Sequence, residues 1–301
     1  MQVLGDYSKS NVETYDCRPM PYRYSPLDYS INCKRNNGSG YSFIRDNVQE
    51  DLALILIAFA TISWLAVPVL AAIILFHISF WIIYEIGYVE NDRVAAKYEA
   101  APKVPPAFDR FNAVFSEPLA WIYAIAVAIP AALIAATSGA SFFGGPLAVS
   151  AVQILALWIV LLLSLRLLYA VYNRVDKGTR VYLYLPLQVL KYGFPAVFFG
   201  LPAAGAALLF AQVFRRWVPY IIYRHSGDLP RHIPLRLLRL FVFVALWLFL
   251  LWDNWGTDYL IQGALALSYL VFRGWTQIRE AAAGVQNVRS DTWQNRKPDD
   301  K

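Results

Sequence analysis

EPLAWIYAIAVAIPAALIAAT (residues 117–137), SGASFFGG (138–145), PLAVSAVQILALWIVLLLSLRLLYAVY (146–172) and NRVDKGTR (173–180) follow one another in this chain. The first and third blocks are apolar and long enough to cross a bilayer, whose hydrocarbon core takes about 20 helical residues. The gap between them has no Lys or Arg, whereas the gap that follows carries Arg174, Lys177 and Arg180. Cytoplasmic loops accumulate Lys and Arg, so this stretch predicts two membrane helices and assigns a side to each connection.

The same alternation extends outward in both directions. Apolar blocks at 52–67, 69–88, 117–137, 146–172, 182–200, 205–222, 237–252 and 259–272 predict eight membrane helices, with Pro68 in a tight turn between the first two. The gaps at 138–145, 201–205 and 253–258 lack Lys and Arg. An even number of crossings puts both termini on one side. Both are basic: Lys9, Arg18, Arg23, Lys34, Arg35 and Arg45 precede the first block, and Arg273, Arg279, Arg289, Arg296, Lys297 and Lys301 follow the last. The expected fold is therefore an all-α, polytopic transmembrane bundle with N and C termini in the cytoplasm, in an integral membrane protein of the bacterial inner membrane. Trp64, Trp121, Trp217, Trp252 and Trp255 fall near predicted helix ends, as interfacial tryptophans do. Three regions follow: a polar, irregular cytoplasmic arm (1–50), the bundle (51–273), and a tail (274–301) that opens with a short amphipathic helix at 277–285.

Hydrophobic residues make up 58% of the chain, and its net charge is +6. The positive charge sits at the ends of apolar blocks, where it meets anionic headgroups or substrates, so nucleic-acid binding is not expected. Cys17 and Cys33 precede the first block without a nearby His; reduced thiols are expected, not a disulfide or a metal site. Small residues, such as Ala131, Ala132, Ala135 and Ala136, predict close helix packing.

The end of the second block carries the richest chemistry. Glu85, Asp92 and Glu99 are seven residues apart and share one helical face, with Asn91 on the adjoining row. Carboxylates and an amide at the mouth of a bundle suit Mg²⁺, which takes one or two carboxylates and completes its shell with substrate oxygens. Glu85 lies close to hydrocarbon, where an ionisable residue must be neutral, paired or wet. Arg166 and Lys191 are cations within predicted spans, expected to reach headgroups, to pair with Glu85 or to meet a lipid phosphate. His77 is expected to pack against a polar neighbour.

Gly87-Tyr88-x-x-Asn91-Asp92-x-x-Ala95-x-x-x-Glu99 resembles the first motif of the UbiA superfamily of intramembrane prenyltransferases, N-D-x-x-D-x-x-x-D. Ala95 stands at one Asp position and Glu99 at the last. Pro102-Lys103-Val104-Pro105 is similar in place to the family's Pro-rich, basic link to helix three. The segment from Tyr172 to Arg180 is similar to the family's Tyr, Lys-Arg and Thr elements before helix five. Tyr223-Arg224-His225-Ser226-Gly227-Asp228 falls where the family has its second Asp-rich motif, of which Asp228 is the remaining carboxylate. The family usually has nine helices, against eight here.

The resemblance implies a catalytic pair, Asp92 and Asp228. It also implies Mg²⁺ held by Asn91, Asp92, Glu99 and Asp228 against a polyprenyl diphosphate. Phosphate contacts are implied for Lys177 and Arg180, with Glu85, Asn91, Lys103, Arg166 and Lys191 also expected in the substrate site. The expected activity is transfer of a prenyl or phosphosugar group at the cytoplasmic face. The loss of the Asp at position 95, and of most of the second motif, keeps open an alternative: a lipid-binding or scaffolding subunit without catalysis, joined to membrane-protein partners or to copies of itself. A secondary transporter is less favoured, because no inverted repeat is visible.

Overall fold

The computed structural model describes residues 24–34, 43–60, 66–99, 102, 104–227 and 233–284. Among them the protein is all-helical, with no strand and one isolated bridge between Ser141 and Ala148. The α-helices are α1 (Ala53–Phe59), α2 (Ala66–Tyr98), α3 (Phe108–Val114), α4 (Glu117–Thr137), α5 (Ala151–Arg174), α6 (Arg180–Gly193), α7 (Ala203–Ser226), α8 (Leu235–Leu250) and α9 (Thr257–Gly284). A π-helical segment, Ile44–Leu52, runs directly into α1. Three helices, α2, α4 and α5, are long and apolar enough to cross a membrane.

Those three form one half of the molecule, each packed on the other two. An alanine row makes this possible. Ala120, Ala124, Ala128, Ala131 and Ala135 of α4 are fully buried, and their short side chains let α2 approach the α4 backbone. The Ser79 hydroxyl donates to the Ala124 carbonyl at 2.7 Å, and Trp158 of α5 donates its indole N–H to Ser79 at 2.9 Å. Nearer the other end of α2, Arg166 of α5 binds Glu90 of α2 at 2.7 Å and Glu117 of α4 at 2.9 Å.

The other half is α1, α7, α8 and α9, with α6 bridging from α5 to α7. Gln262 of α9 donates its side-chain N–H to the carbonyls of Ile57, Ala58 and Ala60, groups that the end of α1 would otherwise leave unpaired. At Gly205 of α7 a Cβ would fall 2.1 Å from the Ala58 carbonyl oxygen, so only glycine allows this crossing.

Several boundaries differ from the sequence expectation, each for a visible reason. The helix expected over 52–67 instead starts at Ile44 and ends at Phe59. Glu50 and Asp51 are drawn into the interior by basic side chains, so the helix begins ahead of them. Ala60 is already extended (φ −64°, ψ 125°). Pro68 is not in a turn but in the first turn of α2, where its missing N–H breaks no helical bond. α6 stops at Gly193 and continues as the 3₁₀ segment Phe194–Val197, because Pro195 cannot donate to the helical ladder. The tail helix expected at 277–285 is the last part of α9. The arm expected to be irregular contains a helical turn, Tyr29–Lys34, that packs on α2 and α3. The unforeseen α3 supports it: the Phe111 ring lies 4.7 Å from that of Tyr29, and Phe115 lies 5.1 Å from Tyr24.

Replacing Gly205 by Val should push α1 from α7 and lower stability by about 1–3 kcal/mol, the usual cost of overpacking. Gly256 faces open space, so Gly256→Ala serves as the comparison and should leave unfolding nearly unchanged. Thermal unfolding of the purified protein in detergent measures both.

Candidate functional site

A cavity of about 430 Å³ opens where α2, α5, α6 and α7 meet. α2 contributes Tyr84, Tyr88, Asn91, Asp92, Ala95 and Glu99; α5 contributes Tyr169 and Tyr172. Arg180, Tyr184, Leu187, Gln188 and Lys191 come from α6, and Arg216, Tyr220, Tyr223 and Arg224 from α7. Lys177, just before α6, and Lys34 of the N-terminal arm complete the lining. The wall thus combines six cations, two carboxylates and seven tyrosines.

Local sequence explains how these groups converge. Gly87 lets the ring of Tyr169 lie directly on α2, where a Cβ would fall 2.4 Å from the ring. Tyr184 and Tyr220 stack with centroids 4.1 Å apart, and the Tyr172 and Tyr220 hydroxyls are 2.6 Å apart. The Arg224 guanidinium lies 4.9 Å from the Tyr220 ring and donates to its hydroxyl. Arg180 lies 5.4 Å from the Tyr172 ring and donates to the carbonyls of Asn173 and Val175. Among the described residues, neither Arg180 nor Arg224 has a carboxylate partner.

The carboxylates, by contrast, are engaged. Asp92 is buried and accepts from the Lys34 ammonium at 2.6 Å on both oxygens, from the Tyr29 hydroxyl, and from the Asn91 amide at 3.3 Å. Burial first, and then the Asp92 charge, hold the Tyr29 hydroxyl far above its ordinary pKa, so it stays a donor. Glu99 pairs with Lys177 at 3.5 Å. A carboxylate offers about four lone-pair sites, and those of Asp92 are taken. No group of three or more His, Cys, Asp or Glu suited to a metal occurs among the described residues. The donor set around Asp92 therefore does not fit the Mg²⁺ that the sequence motif implies.

Asn91, Asp92, Glu99, Lys177, Arg180 and Lys191, which the sequence singles out, share this one cavity. Glu85 and Arg166 do not line it. For Glu85 the sequence leaves three states, neutral, wet, or paired with a cation such as Arg166 or Lys191, and the structure gives neither the wet one nor that pairing. Instead it is buried and accepts from the Ser30 N–H at 2.8 Å, the Leu27 N–H at 3.1 Å and the Tyr24 hydroxyl at 3.2 Å. Arg166 meets neither Glu85 nor the cavity, because Glu90 and Glu117 occupy it. Lys103 and Asp228 lie outside the described residues, so the convergence expected of Asp92 and Asp228 concerns a position not described. His77 does have a polar neighbour, accepting from the Trp81 indole at 2.8 Å.

The chain matches no family model, no curated protein and no solved structure.

Behind the cavity lies a buried ionic cluster that the sequence reading missed. Asp51 accepts from Lys191 at 2.5 Å, the Tyr192 hydroxyl at 2.6 Å and Arg216 at 2.8 Å. Its neighbour Glu50 contacts Arg239 and Arg273 at 2.8 Å, Arg236 at 3.1 Å and Arg215 at 3.4 Å. The available signal was Arg215, Arg216 and Arg239 within apolar blocks, where isolated cations call for partners. Arg216 and Lys191 face both ways, holding Asp51 and lining the cavity. Burial acts to raise the pKa of Glu50. Arg239, Arg215 and Arg236, with the hydrogen bond from Arg273, outweigh burial and bring it down to about 2.

A carboxylate with a lowered pKa stabilises the fold above its unfolded value and loses that contribution as pH falls toward the folded value. Glu50→Gln should cost roughly 3–5 kcal/mol near neutral pH, the usual cost of breaking a buried ion pair. The gap between wild type and variant should narrow as pH falls from about 4.5 toward about 2. Chemical denaturation across that range measures the gap, and a gap independent of pH contradicts the ionised assignment.

Proposed function

We propose that this chain is an integral membrane protein with a UbiA-like bundle, eight crossings and both termini in the cytoplasm. On this reading, its cavity binds the phosphate or diphosphate head of a polyprenyl lipid. The observation that carries the reading is the charge balance of the cavity: six cations converge on a space with two carboxylates, each of which already has a lysine partner. Arg180 and Arg224 offer guanidinium donors in a planar fork that suits phosphate oxygens. The tyrosine hydroxyls can add neutral donors. The volume is within the roughly 300–1,000 Å³ common for small-ligand sites.

Binding without metal-assisted ionisation is favoured over prenyl or phosphosugar transfer, because the donor set at Asp92 lacks a place for Mg²⁺. A transfer reaction here would rest on the ammonium and guanidinium groups alone to hold the leaving phosphate.

Arg224→Gln and Arg180→Gln should each weaken binding of a prenyl diphosphate by about tenfold or more, since a charge-assisted hydrogen bond contributes about 1.5–3 kcal/mol. Equilibrium binding to the detergent-solubilised protein, with thermal unfolding recorded alongside, measures this. A double variant that folds and binds as the wild type does would refute the site.

A further inference from the structure

We infer that Lys34 is the built-in cation of this cavity, an ammonium delivered by the N-terminal arm to the carboxylate where the family motif implies a metal. The inference rests on reading the cavity as a phosphate site. It concerns which cation completes that site.

Four observations carry it. The Lys34 ammonium is 2.6 Å from both oxygens of Asp92, centred on the carboxylate as a chelated cation would be. It also lines the cavity, and its side chain keeps 26% of its exposure while that of Asp92 keeps 1%. An ammonium has three N–H donors, and the two Asp92 oxygens account for two, so one can serve a ligand oxygen. Finally, Lys34 is held in place by its segment. The backbone N–H groups of Leu27 and Ser30 and the hydroxyl of Tyr24 end on Glu85, about two turns from Asp92 on the same face of α2. Tyr29 is fixed by Asp92 on one side and the Phe111 ring on the other. The two carboxylates of α2 thus act as a socket for the arm, which carries its charge to the cavity.

The ligand this predicts is a phosphate or diphosphate monoester bound without a divalent metal, either as a free anion or as a lipid head. The full-length protein in detergent is titrated with inorganic pyrophosphate and with farnesyl diphosphate, in EDTA and in Mg²⁺. Wild type, Lys34→Gln, Lys34→Arg and Arg224→Gln are compared. Wild-type affinity is expected to be the same in EDTA and in Mg²⁺. Lys34→Gln should lose about tenfold or more in EDTA, the scale of one charge-assisted contact, and recover part of it in Mg²⁺ once Asp92 is vacant. Lys34→Arg should retain binding. Similar affinity for both probes identifies a free diphosphate as sufficient, and tighter binding of farnesyl diphosphate identifies a lipid-borne head; each supports the inference if the Lys34 pattern holds.

Wild-type binding that EDTA abolishes overturns the inference without using any variant. So does Lys34→Gln binding at wild-type strength while Arg224→Gln is weak, a result that leaves the phosphate site itself intact. If the wild type binds neither probe, or if Arg224→Gln binds as the wild type does, the phosphate-site reading fails and the inference fails with it.

Discussion

Two adjacent carboxylates, Glu50 and Asp51, tie together α6, α7, α8 and α9. Six cations contact them: Lys191 from α6, Arg215 and Arg216 from α7, Arg236 and Arg239 from α8, and Arg273 from α9. Each of these groups loses several kcal/mol of solvation on burial, and the loss is recovered only where geometry and hydrogen bonding are good. At Asp51 they are: two cations and a tyrosine hydroxyl all lie within 2.8 Å of its oxygens. The cluster also has more positive than negative charge. Part of that excess, on Lys191 and Arg216, faces the cavity, so the interaction that positions the helices also sets the sign of the site.

The N-terminal arm meets a similar need at α2. α2 carries Glu85 and Asp92 on one face, and both are buried. Left alone they would be costly in any nonaqueous setting. The segment from Tyr24 to Lys34 supplies two backbone N–H groups and a hydroxyl to Glu85, and a hydroxyl and an ammonium to Asp92. The aromatic α3 then covers that segment. The segment from Tyr24 to Lys34, α2 and α3 therefore depend on one another, and that segment belongs to the body of the protein.

The long apolar helices were legible because their signal is local. Residues 117–137 match α4 to the residue, since Ser116 precedes it and Ser138 ends it without competition from distant partners. Ser150 and Gln153 form a capping box that starts α5, five residues inside the apolar block. The cavity residues of α2 and the loop before α6 were legible because their spacing places them on one face or at one mouth. What could not be read was pairing across sequence. Nothing near Lys34 announces that it reaches Asp92, 58 positions away, and nothing near Glu50 announces Arg239, 189 positions away. Glu85 shows the consequence: the sequence allows this acid to be neutral, wet or paired with Arg166 or Lys191, while the fold satisfies it with two backbone N–H groups and a tyrosine hydroxyl from far along the chain.

On the proposed reading, an ammonium stands at Asp92 where the resemblance implies a metal, and this has an electrostatic consequence for what such a site can do. Mg²⁺ carries two charges and sits at about 2.1 Å from its oxygen ligands, whereas an ammonium carries one and approaches to about 2.8 Å. Coulomb attraction scales as charge over distance, so at equal dielectric the ammonium pulls on a phosphate oxygen roughly 2.7 times less. Carbon–oxygen cleavage in a prenyl diphosphate develops charge on the leaving group, and stabilising that charge is the main work of catalysis there. Ground-state recognition of a phosphate asks less, because several single charges in an enclosed wall can add. Arg180, Arg224, Lys191 and Arg216 supply that sum around this cavity. On the proposed reading, the residues present are thus better matched to holding a phosphorylated lipid than to ionising one.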